Sequence, residues 1–478
     1  MRKEILTTIA LIAIAAPVFS DREMSRNDVL KYAFENSDGL AQLKAEREKI
    51  EFMRKEYYGK AFPDINAAIN YLRAPDLNEK PETPPTFHNV LLEAQKSPEN
   101  TDGAAPSFYD MTLAGMLDGA MAGLADKLGA MNAKNTFQWE ISATQPIFVQ
   151  GKVKTGLKIA GIALKTLDEQ YKGAQFDLAQ KIIDAYNGAL LAQQNAVIQQ
   201  DALVIAEESH RLALAKFQSG NGSALDTLNT KFAYQQAVLR LSEANMGKRL
   251  ALKSLANAAS LDNETIILRD SLTVPEFNMS EDSAWEEMQK NNSSLRLLSQ
   301  AKILQAEQTH LLKTDYLPLI AAFANIGQVN LFNKGSQFSD NWTWRSQIGV
   351  GIQIPIWNGG QRQNKLHQAK LDEFKLDKQE IEAKNGLRLA LSAGFENLSV
   401  ARQELIQVEQ MLVLAEQGFK ISKLSFELGQ LTQLELNNNE QNFRMAKLAF
   451  NNAVFKINSA VVNIEKLVGN EKLISVTN

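Results

Sequence analysis

The chain has 478 residues, of which 45% are apolar and 22% charged; that is the balance of a folded protein long enough for two or three ordinary domains. It has no cysteine, which excludes disulfides, thiolate metal sites, cysteine nucleophiles and a lipid-modified N-terminal cysteine. A formal charge of −4 with no basic tract argues against nucleic acid as a partner.

The chain opens with "MRKEILTTIALIAIAAPVFSD", where Arg2 and Lys3 precede an uncharged run from Ile5 to Phe19, and Val18 and Ser20 are small residues suited to a cleavage site. Residues 1–20 therefore read as a secretion signal. No later apolar run reaches eighteen residues, so no transmembrane helix is expected after it.

Two copies of one pattern follow, residues 21–278 and 279–478. "MSRNDVLKYAFENSDGL" from Met24 matches "MSEDSAWEEMQKNNSSL" from Met279 at a spacing of 255, and Pro63 matches Pro318 at the same spacing. From Pro146 and Pro355 onward the spacing is 209, so the first copy carries an insertion, set at residues 73–134. Each copy begins with a helix capped by a serine, Ser25 or Ser280, with Asp28 or Glu281 and Asp282 in the first turn, where the helix dipole favours acids. Only Ser25 has an acid three residues on, so its cap is the stronger. Both helices are expected to run about ten turns to Pro63 or Pro318, which cannot continue a helix.

Four strands follow these prolines. In "WTWRSQIGVGIQIPIW", Trp342, Trp344, Ser346, Ile348, Val350, Ile352 and Ile354 alternate with Thr343, Arg345, Gln347, Gly349, Gly351 and Gln353. "TFQWEISATQPIF" repeats the scheme, with Phe137, Trp139, Ile141 and Ala143 on one face. "DINAAINYL" and "LIAAFANIG" are less regular. Strands of about ten residues with one apolar face fit either a half-buried sheet or a membrane β-barrel. Phe137, Trp139, Trp342 and Trp344 favour the membrane, because aromatic rings settle at the water–lipid boundary. Four strands cannot close a barrel and lipid does not tolerate an open edge, so several copies would have to share one.

After Pro146 and Pro355 the pattern turns helical for about 65 residues, on the order of 100 Å. Leu398, Ala401, Leu405, Val408, Leu412, Ala415 and Phe419 form a heptad seam, matched in the first copy by Ala189, Ala192, Ala196, Gln199, Leu203, Ala206 and His210. Gly220, Gly222 and Gly429 interrupt the pattern, and returning helices are expected over Asn229–Ala259 and Asn438–Val468.

With strand, proline, aromatic and glycine leading twice into long hairpins, the chain resembles the TolC family of outer-membrane efflux proteins. The most specific stretch is "IPIWNGGQRQNKLHQA". The resemblance implies a mainly α fold with a transmembrane β part: a homotrimer whose 12-stranded β-barrel, set in outer-membrane lipid, continues into a periplasmic α-helical barrel. It implies a passive channel of a tripartite efflux or type I secretion system, working with a periplasmic adaptor protein and an inner-membrane transporter, without enzyme activity or cofactor. Pro63, Pro146, Pro318 and Pro355 would lie at the barrel-to-tunnel junction, with Pro146 and Pro355 ending the sheet and Gly151, Gly359 and Gly360 turning the backbone. Two aspartates that narrow the entrance in the family correspond here to Glu435 and Asn438, and Asp226 corresponds to Glu435 in the first copy. The family's ring of carboxylates is therefore not preserved as such. Asp226 and Glu435 equally suit plain helix starts.

In the insertion, Leu113, Leu117, Met121, Leu124 and Leu128 make one apolar helical face, expected in an extracellular loop that caps the barrel mouth or folds on itself. Two rival readings stand beside the channel. One is a soluble periplasmic coiled-coil scaffold, which leaves the tryptophan-bearing strands unexplained. The other is a di-iron helical-bundle enzyme, suggested by Glu207 with His210 and Glu307 with His310 at Glu-x-x-His spacing. The two motifs fall in non-matching helices, so the sequence argues for no metal site.

Overall fold

The structure, a computed structural model, describes residues 22–73, 135–261, 266–332, 342–428 and 430–475. The secretion signal and almost all of the insertion, with its apolar helical face, lie outside the described residues, as does Gly429. The chain divides into a helical unit (Met1–Met53, Lys158–His310 and Asn364–Asn478) and a strand-bearing unit (Arg54–Leu157 and Leu311–Gln363).

In chain order the elements are β1 (Arg22–Met24), α1 (Arg26–Asn36), α2 (Asp38–Gly59), β2 (Asp64–Arg73), β3 (Asn135–Val149), α3 (Lys152–Gln218), α4 (Ala224–Ala258) and β4 (Ile266–Leu268). The order then recurs without a counterpart to β1: α5 (Glu281–Asn291), α6 (Ser293–Thr314), β5 (Leu319–Phe332), β6 (Trp342–Gln353), α7 (Gln361–Glu427) and α8 (Gln433–Val468). A 3-10 turn, Glu471–Leu473, follows. No helix among the described residues is long and apolar enough to cross a membrane.

The first helix of each copy opens as its sequence predicts. The Ser25 hydroxyl accepts from the Asp28 N–H at 3.3 Å, and the Asp28 carboxylate accepts from the Ser25 N–H at 2.9 Å, a complete capping box. Ser280 accepts from the Ser283 N–H, without the reciprocal acid. Neither helix is continuous, however. The first breaks at Ser37 and the second at Asn292, both extended, with ψ of 120° and 122°. These are matching positions of the two copies. At the second break Asn292 Oδ1 accepts from the N–H groups of Ser294 and Leu295, and at the first the Ser37 hydroxyl accepts from Leu40. Short polar side chains thus offer the backbone a new start that competes with helix continuation.

The helical unit packs two clusters. One gathers Met24, Val29, Phe176, Ile182, Tyr186, Leu190 and Leu255 of the first copy; the other gathers Met288, Leu391, Leu398, Ala401, Val454, Ile457 and Ile464 of the second. The heptad seam is therefore buried over Leu398, Ala401, Leu405 and Val408 and half-buried from Leu412 to Phe419. In the first copy Ala189 and Ala196 are buried. β1 and β4 pair in parallel, an element too short for periodicity to announce. Beside them the Tyr186 hydroxyl, 1% exposed, bonds Met24 O at 3.1 Å and Asp270 Oδ2 at 3.0 Å, and burial pushes its phenol above its ordinary pKa.

In the strand-bearing unit, β2, β3, β5 and β6 form one antiparallel sheet in that order. Pro63 and Pro318 stand immediately before β2 and β5, and Pro355 follows β6. Pro146 does not end its strand. β3 runs through it to Val149, with a register shift between Pro146 and Phe148 that absorbs the missing N–H in a bulge.

Candidate functional site

The sheet register assigns each side chain to a face. Tyr71, Ile69, Ala67 and Ile65 of β2 stand in rows with Phe137, Trp139, Ile141 and Ala143 of β3. The same rows continue through Asn330, Gln328, Ile326 and Ala324 of β5 to Trp342, Trp344, Ser346 and Ile348 of β6. All four aromatics singled out in the sequence thus share one face. Phe137 meets Trp342 edge-on at 5.8 Å between ring centroids, and Trp139 meets Trp344 at 5.9 Å. Gln328, between the last two, accepts from the Trp139 indole N–H at 3.2 Å.

Large apolar side chains on this face are exposed: Ile69 is 72%, Trp344 63% and Ile348 88% accessible. A sheet in water buries its apolar side, whereas a sheet whose solvent is lipid turns it outward. Among the described residues, β2 and β6 are the edges of this sheet.

Where the strands hand over to the long helices, the two copies use the same backbone. Gly359 and Gly360 take φ of 66° and 79°, and the matching pair Gln150 and Gly151 takes 57° and 73°. Glycine enters this left-handed region without strain, so Gln150 is held there by its surroundings. Its side chain is buried and Nε2 donates to Leu317 O. Next to it the Lys152 ammonium meets Asp315 at 2.7 Å, and burial, opposed by that contact, lowers the Lys152 pKa. Arg362, after the second glycine pair, donates to Pro355 O at 3.0 Å and lies over the Tyr316 ring at 5.3 Å. Sequence reasoning missed these three residues. Their only signal is a basic or amide side chain within three positions of the turning glycines.

The hairpin tips also differ from expectation. The returning helices begin at Ala224 and Gln433, five residues earlier than their apolar pattern. Ser223 caps the first, its hydroxyl accepting from the Leu225 N–H at 3.1 Å. Thr432 caps the second in a full box with Glu435, whose Oε2 accepts from the Thr432 N–H at 2.9 Å and hydroxyl at 2.6 Å. Those bonds, the hydroxyl first, hold the Glu435 carboxyl below its ordinary pKa. Asp226 lies in the first turn of α4, and Asp226, Glu435 and Asn438 are all exposed.

Above the tips, His210 stacks on Tyr234 at 6.3 Å, and at the matching positions Phe419 stacks on Phe443 at 5.7 Å. His210 Nδ1 lies 3.3 Å from the Thr230 hydroxyl, which itself donates to Asp226 O at 2.8 Å. Glu307 accepts from Lys158 at 3.1 Å, and His310 is exposed. The two Glu-x-x-His motifs are thus engaged separately, in packing and in an ion pair, and no metal-ligand cluster occurs among the described residues.

Fold and faces together define a membrane-sheet protein carrying long helical hairpins. Residues 119–260 match the family model described as outer membrane efflux protein. The chain is 20% identical over 402 residues to the outer membrane efflux protein BepC of Brucella suis, covering 82% of this chain and 86% of that protein. It is 23% identical over 312 residues to the alkaline protease secretion protein AprF of Pseudomonas aeruginosa, a match that spans 63% of each chain. Among solved structures, the CmeC outer membrane channel of Campylobacter jejuni aligns with a TM-score of 0.64 at 18% identity, over 93% of this chain and 85% of that one. VceC of Vibrio cholerae aligns with the same score at 13% identity, over 93% and 96%. The chain thus shares its fold with these outer membrane channels, and its residues 119–260 carry the match to the outer membrane efflux protein model.

Proposed function

We propose that three copies of this chain assemble into one passive duct across the outer membrane. Each copy contributes four strands to a shared 12-stranded barrel and its helical hairpins to a tunnel in the periplasm. The observation that carries this reading is the exposed apolar face of a sheet that has, among the described residues, two open edges. Its apolar face needs lipid, and in lipid the unpaired N–H and C=O groups of β2 and β6 need partners that another copy can supply. Residues 1–20 are the export signal, and residues 21–278 and 279–478 the two repeats.

Transport through the duct needs no chemistry on the cargo. A periplasmic adaptor and an inner-membrane transporter deliver it, in keeping with the secretion and efflux roles that the names of AprF and BepC state. Asp226, Glu435 and Asn438 line the periplasmic entrance, where Glu435 adds charge while its cap bonds hold it ionised. A soluble scaffold of hairpins would account for the helical unit but leaves an exposed apolar sheet in water.

Conductance of the purified protein in planar lipid bilayers tests the reading, with cross-linking to count subunits. A trimer that conducts is the expected result, and Glu435→Ala should change its ion selectivity. A monomer that stays folded in detergent-free water would overturn the duct.

A further inference from the structure

The four strands of the antiparallel sheet hold four charged residues. Asp64 and Arg73 stand at the two ends of β2, β5 has none, and only Glu140 of β3 and Arg345 of β6 lie in strand interiors. The register puts these two in a single row: Ala68 pairs with Glu140, Glu140 with Gly327, and Gly327 with Arg345. Alternation sets that row on the face opposite Trp139 and Trp344, the polar one. Its neighbours there are polar as well, with Ser142, Asn325 and Gln347 in the next row.

Between the two charges stands a residue without a side chain. A Cβ at Gly327 would collide with the carbonyl of Trp139 and the Cα of Glu140, so close strand approach keeps this position glycine. The backbones of Glu140 and Arg345 are therefore two strand spacings apart, about 9–10 Å, with no side chain interposed.

We infer that Glu140 and Arg345 form a mixed-charge selectivity row on the barrel wall, repeated three times around the lumen, that governs the passage of charged solutes. This rests on the duct reading, since only a water-filled lumen gives the row a function. Carboxylate and guanidinium act in opposition: each attracts the ions that the other repels, so neutralising one exposes the other.

The absence of cysteine allows a test inside the barrel that does not depend on the tunnel entrance. Ser142→Cys introduces a single thiol beside the row, and its reaction rates with cationic and anionic methanethiosulfonate reagents, added from the extracellular side of a bilayer, report the local potential. Arg345→Gln should slow the anionic reagent several-fold relative to the cationic one, and Glu140→Gln should do the reverse. The double variant and Arg345→Lys should both return to the parent ratio. Reversal potentials in a salt gradient should shift in the same directions. A rate ratio unmoved by either single substitution, in a protein that still conducts, overturns the selectivity row and leaves the duct standing. A parent that conducts nothing overturns both.

Discussion

The first and second copies adopt the same backbone at matching positions with different side chains. The helix breaks fall at Ser37 and Asn292, the left-handed turns at Gln150–Gly151 and Gly359–Gly360, and the tip caps at Ser223 and Thr432. The first ring stack is His210 on Tyr234 and the second Phe419 on Phe443. What both copies keep is a conformation and a contact that several residues can provide. Where a side chain exceeds that requirement, as Gln150, Glu435 or His210 does, the copy has acquired a property of its own.

One departure from symmetry is Arg444 of α8. It lies 3.5 Å from Glu440, both largely buried, and donates to Gln199 of α3 at 3.1 Å, whereas the first copy has Gln235 at the matching position. Arg444→Met would leave the buried Glu440 with only the longer-range attraction of Arg240 and should cost up to about 3–5 kcal/mol in chemical denaturation. Burial already raises the Glu440 pKa. Its charge would be lost as pH falls through that raised value, so the deficit should shrink on acidification; an unchanged deficit at low pH would mean that packing, and not charge, was lost. Next comes the seam: Leu398→Ala, which gives the second copy the residue the first carries at Ala189, should cost about 2–5 kcal/mol by the same measurement.

The junction allows a sharper comparison. Gly359→Ala should lower the thermal midpoint, since a left-handed alanine costs about 1–2 kcal/mol. Gln150→Gly should release strain of that order but lose the bond to Leu317 O, leaving a smaller net change. At the tips, Thr432→Ala and Ser223→Ala should each cost about 0.5–2 kcal/mol, with the larger loss at Thr432, where a reciprocal box is broken. The Glu435 pKa is depressed, so its support is present above the ordinary carboxylate range, about 4.3, and is lost only as pH falls through the lower folded value. Melting of the parent against Glu435→Gln between pH 7 and 3 checks that order.

Much of this was legible locally. The alternation of Trp342 to Ile354, the helical seam from Leu398, the caps at Ser25 and Ser280 and the turning glycines are short-range patterns, and each recurs in the structure. The helix breaks were misread because the apolar stripe continues across Ser37 and Asn292, while the cap bonds that interrupt it leave only a serine or asparagine as their mark. Pro146 was read as a strand end because a missing N–H usually is one, and the bulge that accommodates it depends on the neighbouring strand. Glu435 corresponds through the family resemblance to an entrance residue and equally suits a helix start, and its box with Thr432 makes it a cap.

Sequence alone determined the long helices and the four strands of the sheet, the apolar face of β3 and β6, and that the pattern occurs twice. Periodicity suffices for this, because it depends on residues a few positions apart. Tertiary structure decided the rest: the row that sets Glu140 and Arg345 on either side of Gly327, the parallel pairing of β1 with β4, the Arg444–Gln199 bond between the copies, and the exposure of the apolar face. Each depends on where a distant segment comes to lie, and sliding a strand by one residue would turn Glu140 or Arg345 to the opposite face without altering the pattern of its own sequence.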